Sequence, residues 1–422
     1  MNEKLNNDFF LLNEGYSNYE DTTDLARHRW YYYKEGFSPN LVEKAIEKVG
    51  VKKDDLIIDP FNGSGTTTLT ASILGYQSLG IEVNPFTAFL SNVKLSNVDA
   101  TLFENWSNKL FIATDRGKAS PLLRYSTFSR SKGIDKWLFN DSVLNSFEGG
   151  WNLTERIPSY NIRRLFKLAL IITAMQNCNA KRDGKCLRYR EGWENNGFNK
   201  DTFVLTLILN LMNMQEDILQ RPITGRGEIV NADCRKYLSS NAFDSYRLCI
   251  TSPPYLNTFD YTDIYRPELF LGKFIPSSEA LYKLRLKTVR SHVQAKWNDP
   301  IKNDFGALYN QSMDHLNDNL DNLMHKNIPL MVQAYFEDIS NILGVLKQKA
   351  KRNGQVWFVV SNSAYANKEI PVDLIIGDIA SRLGWYLKEI GVLRYLKKRK
   401  TKYSRDVNEL RESVIILSKS KF

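Results

Sequence analysis

Residues 54–67 read DDLIIDPFNGSGTT, and this stretch constrains the fold more tightly than any other. Leu56, Ile57 and Ile58 run into Asp59 as a short buried strand, which Pro60 then ends. Gly63 and Gly65 allow a tight turn whose backbone can approach a ligand, because neither carries a Cβ. A helical pattern follows through Leu74. Strand, glycine turn and helix make the first half of a parallel crossover, so the chain is expected to build an α/β sheet with helices on both faces. The turn is not a phosphate loop, since it lacks the lysine of GxxxxGK[ST]. Nor is it the dinucleotide fingerprint GxGxxG, because Thr66-Thr67-Thr68 follows Gly65.

A second strand is expected over residues 78–83, followed by Asn84-Pro85. Its Glu82 lies about 20 residues beyond Asp59, the distance at which an acid commonly accepts hydrogen bonds from ribose hydroxyls. Turn and acid together suit an adenosine-containing ligand without a phosphate. Upstream, Phe37 precedes Ser38-Pro39, an N-cap and first-turn proline, and Leu41, Ala45, Ile46 and Val49 continue at helical spacing. Further on, residues 244–251 form an apolar run that reads as a buried parallel strand and ends in Ser252-Pro253-Pro254-Tyr255. The prolines have no N–H for the ladder, so they stop the strand and hold the Ser252 hydroxyl and the Pro253 carbonyl at its carboxyl end. Hydroxyl, carbonyl and the Tyr255 ring together suit the holding of a flat heterocycle by its exocyclic amine.

DPFNGSGTT followed by GIEVNP resembles the cofactor motif of S-adenosylmethionine-dependent amino-group DNA methyltransferases, and TSPPY resembles their catalytic motif in its cytosine-N4 form. Asn231-Ala232-Asp233-Cys234 is similar to the stretch that meets the adenine end of that cofactor, and Phe37-Ser38-Pro39 to the segment over its methionine end. The resemblance covers residues 29–94 and 229–260, and the last third more loosely. It implies a Rossmann-like class I methyltransferase fold, with a seven-stranded, mostly parallel sheet. It also implies S-adenosylmethionine bound by Phe37, Ser38, Asp59, Pro60, Phe61, Asn62, Gly63, Gly65, Thr66, Glu82, Val83, Asn84, Asp233 and Cys234. Double-stranded DNA is the implied partner. A restriction endonuclease in the same system is a companion on which the sequence does not decide, as it does not on oligomeric state.

Residues 1–85 and 229–422 are expected to form the catalytic domain, interrupted by an insertion over 86–228 that carries apolar helical stretches near 162–175 and 202–214. The insertion is expected to read the target. Its residues 181–190 (KRDGKCLRYR) read as a basic loop offering Lys181, Arg182, Lys185, Arg188 and Arg190 to phosphates. Arg124, Arg130, Lys132 and Lys136 alternate with Tyr125, Phe128 and Trp137 upstream. A basic hairpin loop near the end adds Lys397, Lys398 and Arg399. Residues 257–274 are expected to line a base pocket, and 275–330 to face DNA or close over it. A net charge of +10 agrees with a polyanionic partner. Four cysteines without a CxxC spacing indicate neither zinc nor a disulfide framework, and His292, His315 and His325 read as ordinary residues with no metal-ligand spacing. The opening MNEKLNNDFF lacks the apolar core of a secretion signal, and no run approaches a membrane span, so a cytoplasmic protein is expected.

The implied reaction is direct transfer of a methyl group to a flipped cytosine. The Ser252 Oγ and the Pro253 carbonyl accept the amine's two N–H bonds, and Tyr255 stacks on the base. Carbon-5 chemistry needs a nucleophilic cysteine, and no Pro-Cys pair occurs. Adenine-N6 methylation, RNA guanine-N2 methylation and a catalytically dead DNA-binding module stay open as alternatives. The cofactor motif precedes the catalytic motif, which departs from the commonest order in cytosine-N4 enzymes.

Overall fold

The computed structural model describes residues 4–9, 19–184, 186–240, 243–397 and 403–421. Its strands are β1 (Leu5–Asn6), β2 (Leu56–Asp59), β3 (Gln77–Glu82), β4 (Ala180–Asp183), β5 (Cys186–Tyr189), β6 (Arg226–Asn231), β7 (Tyr246–Thr251), β8 (Ala350–Ser361), β9 (Ser363–Tyr365), β10 (Lys368–Ile370), β11 (Tyr386–Lys397) and β12 (Glu409–Ser418). Eight of them form one sheet in the order β1-β11-β12-β8-β7-β2-β3-β6. Every neighbouring pair is parallel except the two made by β12, which runs against both β8 and β11. This is the Rossmann-like α/β sheet expected from the glycine turn, with one addition. The polar segment at the amino terminus contributes β1 as an eighth strand, pairing Leu5 with Ile390. A two-residue polar strand has no periodicity from which to be read.

Side chains alternate across the sheet with period two. Ile57, Leu248, Ile250, Trp357, Val359, Val414 and Ile416 face one core. Ile58, Cys249, Val356, Phe358, Val360, Ile415 and Leu417 face the other. Helices α1 (Pro39–Val49) and α2 (Thr66–Ile73) cover the first face. Ser38 caps α1, its Oγ accepting from the Asn40 amide at 3.1 Å. Helix α3 (Pro85–Lys94) returns from β3 and packs on β3 and β6.

The insertion then supplies α4 (Ala100–Arg116), α5 (Asp141–Thr154), α6 (Tyr160–Gln176) and α7 (Lys200–Gln220). The chain returns through α8 (Cys234–Tyr237), α9 (Tyr261–Ile264), α10 (Arg266–Leu271), α11 (Ser278–Arg285), α12 (Ala307–Asp318), α13 (Ile328–Lys349) and α14 (Val372–Arg382). Helices α12, α13 and α14 fill the second core.

The insertion shares one core with its surroundings. Phe103, Leu144, Phe166 and Leu207 pack in the same cluster as Trp30, Tyr31, Tyr265 and Phe270. Asp217 of α7 ties it to the amino-terminal segment, accepting from the Arg27 amide (2.8 Å), the Trp30 indole (2.8 Å) and Arg29 (2.6 Å). Residues 181–190, expected as a loop, are mostly the antiparallel hairpin β4–β5.

Candidate active site

The ends of β2, β3 and β7 open into one cleft of about 320 Å³. Asp59, Pro60, Phe61, Asn62, Gly63 and Thr66 enter it from the glycine turn, and Glu82, Val83 and Asn84 from the end of β3. Asp233 and Cys234 flank it, Phe37 closes one side, and Ser252, Pro253, Pro254 and Tyr255 form its far wall. Two of the expected cofactor residues stand back from it. Ser38 caps α1, and Gly65 (φ 89°) lies against α3, where a Cβ would come within 2.7 Å of the Ser91 Cβ.

Glu82 is 9% exposed, and each of its carboxylate oxygens accepts a backbone amide: Gly63 N at 2.7 Å and Asn84 N at 2.8 Å. The turn is therefore held by the acid that faces the cleft with its remaining lone pairs. Burial raises the Glu82 pKa against those hydrogen bonds. Asp59 is 1% exposed and accepts from Thr251 Oγ1 (2.6 Å) and the Phe61 amide (3.0 Å). Burial pushes its carboxyl up to about 6, although the hydrogen bonds from Thr251, Thr67 and Phe61 pull it down. Such a site has the features that S-adenosylmethionine needs: a glycine turn, a buried acid with unused acceptors, and apolar surface beside them.

Asp233 caps α8 and is held by Arg235, whose Nη2 lies 2.8 Å from its Oδ2. Arg235 also reaches Asp338 of α13 (3.0 Å), and Asp338 in turn binds Arg290 (2.8 Å). This ion-pair chain pins residues 287–292 to α13, so that Lys287, Thr288, Val289, Ser291 and His292 line the cleft. His292 is expected to be a surface or structural residue, within a stretch expected to face DNA or close over it. It is structural and forms part of this wall, with its ring 4.5 Å from Trp297 and its pKa lowered by burial, which leaves it neutral. Tyr261 and Tyr265 come from the 257–274 stretch expected to line a base pocket, while Tyr33 and Glu35 are further wall residues that no motif marks. Tyr33 stacks on Tyr265 (5.6 Å), and the Tyr265 hydroxyl donates to Glu35 at 2.6 Å.

The basic residues expected to meet DNA separate. Lys181, Arg188 and Lys397 are exposed, with Arg188 2.9 Å from Asp183. Lys185, Lys398 and Arg399 lie outside the described residues. Arg190 turns inward to the Cys178 carbonyl (2.9 Å). Arg182 is removed from the set: its guanidinium pairs with the fully buried Glu268 and lies over the rings of Tyr31 (5.3 Å) and Tyr265 (4.6 Å). Alternation along β4 sends Lys181 outward and Arg182 inward, which a loop reading could not show. The tip of the hairpin nevertheless reaches the cleft at Gly184. Among the described residues no cluster of His, Cys, Asp and Glu could hold a metal, and no helix is long and apolar enough to cross a membrane.

Comparison with known proteins agrees with this geometry. A DNA methylase family model matches residues 2–91. The type II methyltransferase M.BsoBI of Geobacillus stearothermophilus is 28% identical over 95% of this chain and 87% of its own. The type II methyltransferase M.AvaI of Nostoc sp. is 26% identical over 87% of this chain and 80% of its own. Among solved structures, TrmN from Thermus thermophilus aligns at 10% identity with a TM-score of 0.31, over 93% of this chain and 52% of its own, so this chain spans about half of that one. The fold assignment rests on the sheet order rather than on that alignment. Strand order, glycine turn, SPPY strand end and relatives matched over most of their length agree: the chain is similar to the S-adenosylmethionine-dependent amino-group DNA methyltransferases of restriction–modification type.

Proposed function

We propose that the chain methylates the N4 amine of cytosine within a specific double-stranded DNA sequence, with the target base flipped into the cleft. The observation that carries this reading is the meeting of two strand ends: Glu82 and the glycine turn share one cleft with Ser252 and Pro253. When bound, S-adenosylmethionine supplies a methyl group activated by its sulfonium. The chain's own residues align the amine. A cytosine amine is a poor nucleophile while its lone pair is conjugated with the ring. Acceptors at Ser252 Oγ and the Pro253 carbonyl favour the tetrahedral nitrogen and stabilise the charge that develops on it. Proximity does the rest, since in-line displacement needs chiefly alignment. A stacked base cannot reach strand ends inside a cleft, so it must leave the duplex. A serine hydroxyl, rather than a carboxylate, at position 252 favours cytosine.

Target reading is assigned to the insertion over 86–228, whose hairpin tip reaches the cleft while Lys181 and Arg188 point outward. Close by, Arg130 lies over Trp137 (5.4 Å) and Lys136 over Tyr189 (5.7 Å), a mixture suited to phosphate and base contact. A restriction endonuclease of the same specificity is the companion that such an activity calls for.

The test is mass spectrometry of DNA digested after incubation with protein and S-adenosylmethionine. N4-methylcytosine is expected. N6-methyladenine would overturn the base assignment and leave the chemistry, whereas 5-methylcytosine would overturn both. Ser252→Ala is expected to lower turnover on the order of 100-fold, the loss of one transition-state contact, with cofactor affinity nearly unchanged.

A further inference from the structure

A serine that accepts a hydrogen bond from the base must place its own hydrogen elsewhere. A hydroxyl has one hydrogen and two lone pairs, and a wrongly turned Ser252 would point its hydrogen at the amine instead of an acceptor. The surroundings of Ser252 determine which way it turns. Ser252 and Tyr255 line the cleft together, and the serine is near enough to the phenol to lower its pKa against the effect of burial. The Tyr255 hydroxyl lies 2.7 Å from Glu412 Oε1, and the other carboxylate oxygen, Oε2, accepts from Arg394 Nε at 2.6 Å. Glu412 is 4% exposed, and both it and Arg394 reach the cleft.

We propose that Glu412 is a positioning residue for methyl transfer, acting through Tyr255 to turn the Ser252 lone pairs toward the substrate amine. A carboxylate only accepts, so it takes the phenol hydrogen. The phenol oxygen is then left to accept from Ser252, whose hydrogen is thereby drawn away from the base. Each hydrogen bond in the series points the same way, from the amine through Ser252 and Tyr255 to Glu412. Bonds aligned head to tail polarise one another, so a neutral serine becomes a stronger acceptor than it is alone.

Three further features suit this arrangement. Burial, and after it the charge of Glu412, raises the Tyr255 pKa well above the ordinary phenol value, so the ring keeps the hydrogen it must donate. Glu412 stands on a strand rather than a loop, in register with Ser361 of β8 and Arg394 of β11, which fixes the end of the series to the sheet. The Tyr261 phenol, which also lines the cleft, lies close enough to the Tyr255 backbone for the backbone to lower its pKa, which places a second wall residue against Tyr255. A phenylalanine at 255 could stack on a base but could not pass on this orientation.

The proposal rests on the amine-transfer reading above, and the test separates the two. Single-turnover rates and steady-state constants would be measured for wild type, Tyr255→Phe, Glu412→Ala, Glu412→Gln and the Tyr255→Phe/Glu412→Ala double variant. Tyr255→Phe keeps the ring and is the variant least able to disturb folding. It is expected to lower kcat by about tenfold or more, with KM for DNA and cofactor within about twofold of wild type. Glu412→Ala should lose a similar factor, and the double variant no more than either single one, because the series is already cut. Glu412→Gln should recover part of the rate, since its carboxamide oxygen can still accept. A wild-type kcat in Tyr255→Phe would overturn the proposal. So would losses that multiply in the double variant, which would give Glu412 a separate structural role. A wild-type protein that forms no N-methylated base would overturn the amine-transfer reading itself, and the proposal with it.

Discussion

Thr251 donates its hydroxyl to Asp59 Oδ1 over 2.6 Å, joining the residue before the SPPY turn to the last residue of the strand that enters the glycine turn. The proposed cofactor end and the proposed catalytic end of the cleft thus share one buried carboxyl, pushed up to about 6 by burial. A cationic cofactor favours the ionised form of a nearby acid. Below pH 6, Asp59 is protonated in the unliganded protein and has to release its proton when S-adenosylmethionine binds. Affinity should therefore rise as pH increases from about 5 to about 7 and level off above that. Calorimetry in buffers of different ionisation enthalpy should show proton release near about pH 5.5, and Asp59→Asn should abolish it. Affinity independent of pH in the wild type would refute the coupling.

Glu82 allows a sharper test because it does two things at once. It holds the Gly63 and Asn84 amides and presents acceptors to the cleft. Glu82→Ala should cost about 1.5–3 kcal/mol of cofactor binding, the range for hydrogen bonds to a charged group. Glu82→Gln should cost less if the ribose contact dominates, but more if the two backbone amides do, since a carboxamide has one oxygen to offer. Cofactor affinity unchanged in a folded Glu82→Ala protein would remove Glu82 from the site.

These residues are legible in the sequence because their roles are local. A strand followed by GSG, an acid one strand later and a double proline at a strand end each declare themselves within a few positions. Tyr33, Glu35, His292 and Glu412 do not, since each is brought to the cleft by long-range packing. His292 arrives only because Arg235, Asp338 and Arg290 pin its segment to α13. The hairpin β4–β5 escapes a sequence reading for a different reason: its four-residue strands are polar and basic, so charge hides the alternation that places their side chains.

Arg182 is where that difference matters most. In the hairpin it is an internal cation, paired with Glu268, and the same carboxylate takes the Tyr31 hydroxyl at 2.7 Å. Arg182→Met should leave Glu268 buried without its counter-charge and destabilise the protein by about 3–5 kcal/mol. Lys181→Ala and Arg188→Ala, both exposed, should leave the unfolding midpoint nearly unchanged and flatten the salt dependence of DNA binding. Chemical denaturation and binding isotherms at several salt concentrations separate the two classes. An Arg182→Met protein as stable as wild type, with weakened DNA binding, would restore Arg182 to the phosphate contacts.

Lys94 makes the last prediction. It ends α3 beneath the glycine turn, 2% exposed, with its ammonium 3.3 Å from the Ser64 carbonyl. Burial lowers its pKa from 10.5 to about 7. Between those two values the unfolded chain binds a proton that the folded protein does not, so stability must rise with pH across that window and flatten below about 7. The neutral amine still donates to Ser64, so the turn keeps its support at about pH 8. Lys94→Met fills the same space without a charge to desolvate. It gives up one hydrogen bond, worth about 1 kcal/mol, and escapes a desolvation cost on the order of 3–5 kcal/mol at about pH 7. The variant should accordingly be more stable than wild type by about 2 kcal/mol or more at that pH. The advantage should shrink as pH rises toward about 10. Denaturant unfolding at about pH 7, 8.5 and 9.5 reads this directly. A Lys94→Met protein less stable than wild type at neutral pH, or a gap that widens with pH, would show that Lys94 stays charged beneath the turn.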